Sequence, residues 1–141
     1  MSTDDGKAVI RRFFATLDAQ DLEKLGGEVM GPDYRFHFDG LPVMDTQGAL
    51  GVFGAFLAAF PDISRSVEDI FAEGDRVACR LVVRGTQTGE FMGIPATNRT
   101  VEIQAMNVHR VEQGRTAEHW INSDGLGMLM QLGVIPAPGQ G

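Results

Sequence analysis

The chain has 141 residues, 43% of them hydrophobic and 22% charged, which fits one globular domain whose core needs no disulfide or structural metal. With 19 acidic against 12 basic residues, the formal charge of −7 argues against nucleic acid or an anionic membrane as partner. Cys79 is the single cysteine, and His37, His109 and His119 are too scattered to form a ligand motif, so neither an internal disulfide nor a metal site is expected. The N-terminus has no basic segment followed by an apolar one, and no apolar run approaches the ~20 residues of a spanning helix, so a cytoplasmic protein is expected.

Val9, Ile10, Phe13, Phe14 and Leu17 recur at helical spacing after Asp4 and Asp5, whose charges suit a helix start. Asp21 caps a shorter second helix carrying Leu22, Leu25 and Val29, which Gly31-Pro32 ends. Tyr34 to Phe38 alternates aromatic with polar, the period of a half-buried strand, and Asp39-Gly40 closes it. Phe53, Phe56, Leu57 and Phe60 then mark a third helix from Thr46 to Pro61. Strands are predicted over 64–73, 76–88, 99–112 and 115–124, with a loop from Gly89 to Asn98. Leu126 to Leu132 makes one or two helical turns before a short flexible tail at about 134–141. Helices first and antiparallel strands afterwards is an α+β order, with the helices on one face of a curved sheet and a pocket between them. No repeat or internal linker divides the single domain over 1–141.

If Gln113-Gly114 is a two-residue hairpin loop, His109 opposes Glu118, Asn107 opposes Trp120, Ala105 opposes Asn122 and Ile103 opposes Asp124. That register puts Asn107, His109, Trp120, Asn122 and Asp124 on one face among Val, Ile and Ala, an apolar wall with a few polar groups, as a small-molecule pocket requires. Phe13, Phe14, Leu17, Phe53, Phe56, Leu57 and Phe60 would close it from the helices, and His37 is a further ligand contact. The opposite face would carry Met106, Val108, His119 and Ile121 and be covered by a second copy in a homodimer. Asp124 has two readings: a carboxylate in an apolar enclosure acting as acid and base, or the N-cap of the last helix. From Glu118 to Asp124 a straight strand runs ~20 Å, so His109 and Asp124 share a ligand only if the sheet bends; a register slip of one residue would bring His119 onto that face instead.

Arg11-Arg12-Phe13-Phe14, Ala59-Phe60-Pro61-Asp62-Ile63, Glu90 to Thr97 with its Phe91-Met92-Gly93-Ile94-Pro95, Glu118-His119-Trp120, and Asp124 to Gly133 together resemble the SnoaL-like polyketide (ester) cyclases of the NTF2-like superfamily. The resemblance spans nearly the whole chain. It implies an α+β cone, commonly oligomeric, and in the characterised cyclases a cofactor-free intramolecular aldol cyclisation of a polyketide ester, so the implied partner is a small apolar or aromatic polyketide-like molecule. An aspartate near the end of the last long strand is the acid/base in those enzymes, and Asp124 matches it; a histidine on the preceding strand lines their pocket, matched by His109. Where the family often has Gly-Thr-His this chain has Gly85-Thr86-Gln87, one titrating group fewer.

The fold also hosts non-catalytic binding and dimerisation modules, steroid isomerases and epoxide hydrolases. Isomerase chemistry needs an oxyanion donor, typically a buried tyrosine, and Tyr34 is the only tyrosine. The hydrolases use two aspartates bridged by an arginine, and no strand Arg-x-Asp supplies the bridge.

Overall fold

The computed structural model describes residues 2–136 and 138–139. Helix α1 (Thr3–Asp18) is capped by Ser2, whose hydroxyl accepts from Asp5 N while the Asp5 carboxylate accepts from Ser2 N, a capping box that fixes the chain's first turn. Its buried stripe is Ile10, Phe13, Phe14 and Leu17. Helix α2 (Leu22–Lys24), capped by Asp21, runs on as one π-helical segment over Leu25–Val29. Asp45 caps α3 (Thr46–Ala59), and Asp124 caps α4 (Gly125–Gln131).

Five strands form one open mixed sheet in the order β1-β5-β4-β3-β2: β1 (Met30–Phe38), β2 (Ser64–Glu73), β3 (Arg76–Thr86), β4 (Thr100–Glu112) and β5 (Arg115–Ser123). β1 runs parallel to β5, and the other neighbours are antiparallel. Helices α1 to α3 lie against the concave face, the α+β cone of the sequence reading; β1 and β2 are the edge strands, and Met44 bridges to Phe36 on the outer side of β1. The core joins Phe13, Phe14 and Phe53 of the helices to Tyr34, Phe36, Cys79, Leu81 and Ala105 of the sheet. Fully burying an aromatic or leucine side chain contributes about 1.5–3 kcal/mol, so this layer carries most of the fold's stability. The expected flexible tail lies partly outside the described residues; Val134 N still bonds Leu129 O at 3.0 Å.

The register of the last hairpin differs from the predicted one. Gln113 (φ 52°) and Gly114 (φ 75°) make the two-residue turn, and Glu112 pairs Arg115 and Val111 pairs Thr116, as that turn dictates. A bulge then intervenes, and Arg110 pairs Glu118 and His109 pairs His119. Ala117 is the inserted residue: it and Thr116 are both buried, and every later side chain of β5 changes face. His119 and Ile121 therefore point into the cone. Trp120 and Asn122, predicted inside, lie on the convex face with Met106 and Val108.

Candidate functional site

The concave face and helices α1, α3 and α4 line a partly open cavity of about 50 Å³. Phe14, Phe53 and Phe56 close it from the helices and Ile103, Ile121 and Val83 from the sheet. Its polar side chains are Arg65, His119 and Ser123. Phe60 lines a smaller adjoining void with Ile63 and Met128. Of the helix residues predicted at the pocket, Phe14, Phe53 and Phe56 reach the cavity, whereas Phe13 and Leu17 are packed core behind it.

Behind the cavity wall lies a buried polar chain. His119 Nε2 sits 2.6 Å from Asn107 Oδ1, and Asn107 Nδ2 donates to Ala105 O at 3.4 Å, which fixes the amide orientation. His119 therefore carries its proton on Nε2 and accepts at Nδ1 from the Tyr34 hydroxyl, 3.2 Å away. The His109 ring stacks on His119 with centroids 3.8 Å apart, and its Nδ1 lies 3.2 Å from Thr116 Oγ1. His109 Nε2 is sealed without a partner among the described residues, which is least costly if it is a bare lone pair and Nδ1–H donates to Thr116.

Edges of Phe13 and Phe14 press on both rings. Burial pushes His109 down to about 3; burial and then the His109, Arg65 and His37 charges hold His119 well below the usual imidazole value. Both rings are thus neutral at physiological pH. Burial also drives the Tyr34 hydroxyl well above its ordinary value, so it stays protonated and able to donate to His119. His109, the sequence candidate, lies outside the residues that line the cavity; the bulge gives that place to His119. Asn107 holds His119 from behind.

Asp124 takes the capping position. Its Oδ1 accepts from Gly127 N at 2.8 Å, and the side chain is exposed rather than enclosed in an apolar pocket. Ser123 and Met128 on either side of it line the cavity, while Asp124 itself is not among the lining residues. Oδ2 makes no hydrogen bond among the described residues. Ser123 in turn donates its N–H, at 2.7 Å, and its hydroxyl to the Asp39 carboxylate, which ties the end of β5 to the turn after β1.

His37 is a correction too. It pairs with Trp120 across the parallel β1·β5 contact on the convex face, the rings stacked at 5.0 Å and 7°. Its Nε2 lies 2.7 Å from Glu118 Oε2, and Arg76 sits over the indole. Burial alone would raise Glu118, but bonds to His37 and Arg110 outweigh it and leave the carboxyl below its usual range. His37, Trp120 and Asn122 thus decorate the outer surface, because the period of two sends them opposite to Phe36, His119 and Ile121.

Gln87, which stands where the family often has histidine, is fully buried and tied to Ile94 O, Pro95 O and Thr97, so it shapes the 89–98 loop. Cys79 is buried with its thiol raised to about 12, which leaves it inert. Among the described residues no three His, Cys, Asp or Glu side chains gather where they could share a metal ion, and no helix is long and apolar enough to cross a membrane.

Sequence reasoning missed Arg65 and Tyr34. Arg65 falls in a polar run, Ser64-Arg65-Ser66, that reads as solvated; yet it pairs Val83, an inward residue, and only 9% of its side chain is exposed. The alternation in β3 carried across the hairpin would put Ser66 opposite Val83; the bulge between Val67 and Asp69 brings Arg65 there instead. Tyr34 was weighed only as an isomerase donor, and its partner His119 was assigned to the other face.

The chain matches the family of SnoaL-like polyketide cyclases over residues 7–132. Among solved structures it is similar to IdmH of Streptomyces antibioticus, a candidate polyketide cyclase, at 39% identity and a TM-score of 0.82, covering 91% of this chain and 98% of that one. It is also similar to AclR of Streptomyces galilaeus, a candidate hydroxylase, at 29% identity and a TM-score of 0.87, covering 96% and 85%. A SnoaL-like protein of Jannaschia sp. CCS1 shares the fold at 23% identity and a TM-score of 0.86, covering 95% of each chain. No protein of curated function matches. The cone, its apolar cavity and the family match over nearly its whole length place this chain among the SnoaL-like polyketide cyclases of the NTF2-like fold.

Proposed function

We propose that the chain holds a ring-bearing, mainly apolar polyketide-like ester in the cone cavity and closes a further ring by intramolecular aldol addition, without a cofactor. The observation that carries this reading is the cavity itself, walled by Phe14, Phe53, Phe56 and Ile121 with three polar side chains among them. The reaction moves one proton from carbon to a base, joins that carbon to a carbonyl carbon, and returns a proton to the new alkoxide, so substrate and product are isomers. Asp124 suits the base: Oδ1 serves the helix while Oδ2 takes no hydrogen bond among the described residues, and its chain neighbour Ser123 lines the cavity. The buried histidines are poor bases, being neutral and depressed, and His119 serves instead as a fixed polar wall.

A second reading, a binding protein with no chemistry, is favoured by one observation: Asp124 is exposed and already occupied as a cap. Incubation with a panel of anthraquinone-type esters, followed by product analysis, separates the two. A ring-closed isomer of unchanged mass supports the cyclase, binding without conversion supports the second reading, and no binding by any member contradicts both. The convex face, where Phe71 and Met106 are 67% and 58% exposed, is proposed to pair with a second copy; sedimentation as a single 15.3 kDa species would contradict that.

A further inference from the structure

Arg65 is a cation built into an apolar enclosure. The register puts it on the inner face of edge strand β2, opposite Val83, and its side chain borders both the cavity and a groove outside it formed with Arg11 and Asp18. Asp18 takes one of its five N–H donors, Nη1 to Oδ1 at 2.7 Å, and spends Oδ2 on the Arg65 backbone N–H. Nε and Nη2 take no hydrogen-bond partner among the described residues. Asp18 lines the outer groove and not the cavity, so the cavity lining described carries one formal charge, and that charge is positive. A cation so enclosed has lost most of its water and regains little of that from one carboxylate, so an anionic oxygen entering the cavity finds an unmatched fork of donors.

We propose that the ligand carries an anionic oxygen, a carboxylate or an ionised enol, and that Arg65 anchors it inside the cone. The proposal rests on the cavity being the ligand site and adds a polarity to it: the apolar rings lie against the phenylalanines of α1 and α3, and the oxyanion points to Arg65 on β2. An enolate formed during ring closure would meet the same donors as a carboxylate, which is why the two are one recognition chemistry.

The test is a calorimetric titration of the whole chain with three probes: naphthoate, its methyl ester, and acetyl tetralone, a ring-bearing diketone that ionises to an enolate. Charge-assisted hydrogen bonds discriminate by about tenfold or more, so naphthoate is expected to bind at least about tenfold more tightly than its ester. Arg65→Gln, which keeps a polar side chain but removes the charge, is expected to remove that preference while leaving the ester affinity within about twofold, and Arg65→Lys to keep part of it. The diketone reports the source: an affinity that rises as it ionises assigns enolate recognition, and one that stays flat assigns carboxylate. Should Arg65→Gln fail to fold, the acid-to-ester ratio of the natural chain decides, with a ratio below about two overturning the proposal. Equal binding of all probes that Val52→Trp blocks leaves the cavity standing and overturns the role of Arg65; no binding of any probe overturns both.

Discussion

Replacing Asp124 separates its two roles, because asparagine and alanine fail in different ways. The Gly127 N–H to Oδ1 bond of 2.8 Å satisfies one of the four free donors at the start of α4, and that seven-residue helix delivers Met128 and Leu132 to the cluster with Phe60, Phe91 and Val101. Asparagine caps about as well as aspartate, so Asp124→Asn should change stability by no more than a few tenths of a kcal/mol. Asp124→Ala loses the cap at about 1 kcal/mol, which for a chain of this size is about 4 °C in Tm. Urea unfolding followed by circular dichroism resolves that difference. On a substrate that is turned over, Asp124→Asn should lose about 10²–10⁴-fold in kcat with binding retained, the usual worth of a positioned acid or base. An alanine variant as stable as the natural chain would refute the cap, and an asparagine variant turning over at the full rate would refute the base.

Three further outcomes follow from the buried network and the backbone. Tyr34→Phe removes the donor to His119 Nδ1 and leaves a buried acceptor bare; it should cost about 1–3 kcal/mol in urea unfolding, although no cavity-lining residue is changed. His109 and His119 titrate near 6.5 in the unfolded chain and well below it when folded, His109 at about 3, so the unfolded state binds more protons in that window. Stability should therefore be full above about pH 6.5 and fall as pH drops below it, by up to about 1.4 kcal/mol per unit for each ring, and urea midpoints between pH 7 and 5 that do not move would contradict the buried neutral pair. A Cβ at Gly89 would run into the backbone carbonyl of Ala58, so Gly89→Ala should lower stability by about 1–3 kcal/mol and shift the unfolding midpoint accordingly.

Elements were legible in this sequence because each is announced by local chemistry. Asp21 and Asp45 stand where the helices begin, the apolar spacing in α1 and α3 is unambiguous, and Glu73-Gly74-Asp75 and Gln113-Gly114 mark the hairpins that formed. Faces were less legible, because a strand's side-chain period of two lets a single inserted residue reverse everything after it. Ala117 is that residue, and its insertion moved Trp120 and Asn122 outside and His119 inside. Charge held the missing signal: the predicted register buries Glu118 beside His109, whereas the bulge lets Glu118 meet Arg110 and His37 near solvent. Arg65 was hidden for a related reason. An arginine between two serines reads as exposed, and its burial follows only from its pairing with Val83 and from Asp18, far away in sequence.

The account stands most directly on where a ligand binds. Titrating isotope-labelled protein with naphthoate while recording amide and indole resonances distinguishes the cone from the outer sheet in one spectrum. The account predicts that the backbone signals of Val83, Ile103 and Ser123 shift and saturate together while the indole N–H of Trp120, on the convex face, stays put. Movement of the Trp120 indole with silent cavity residues would contradict it.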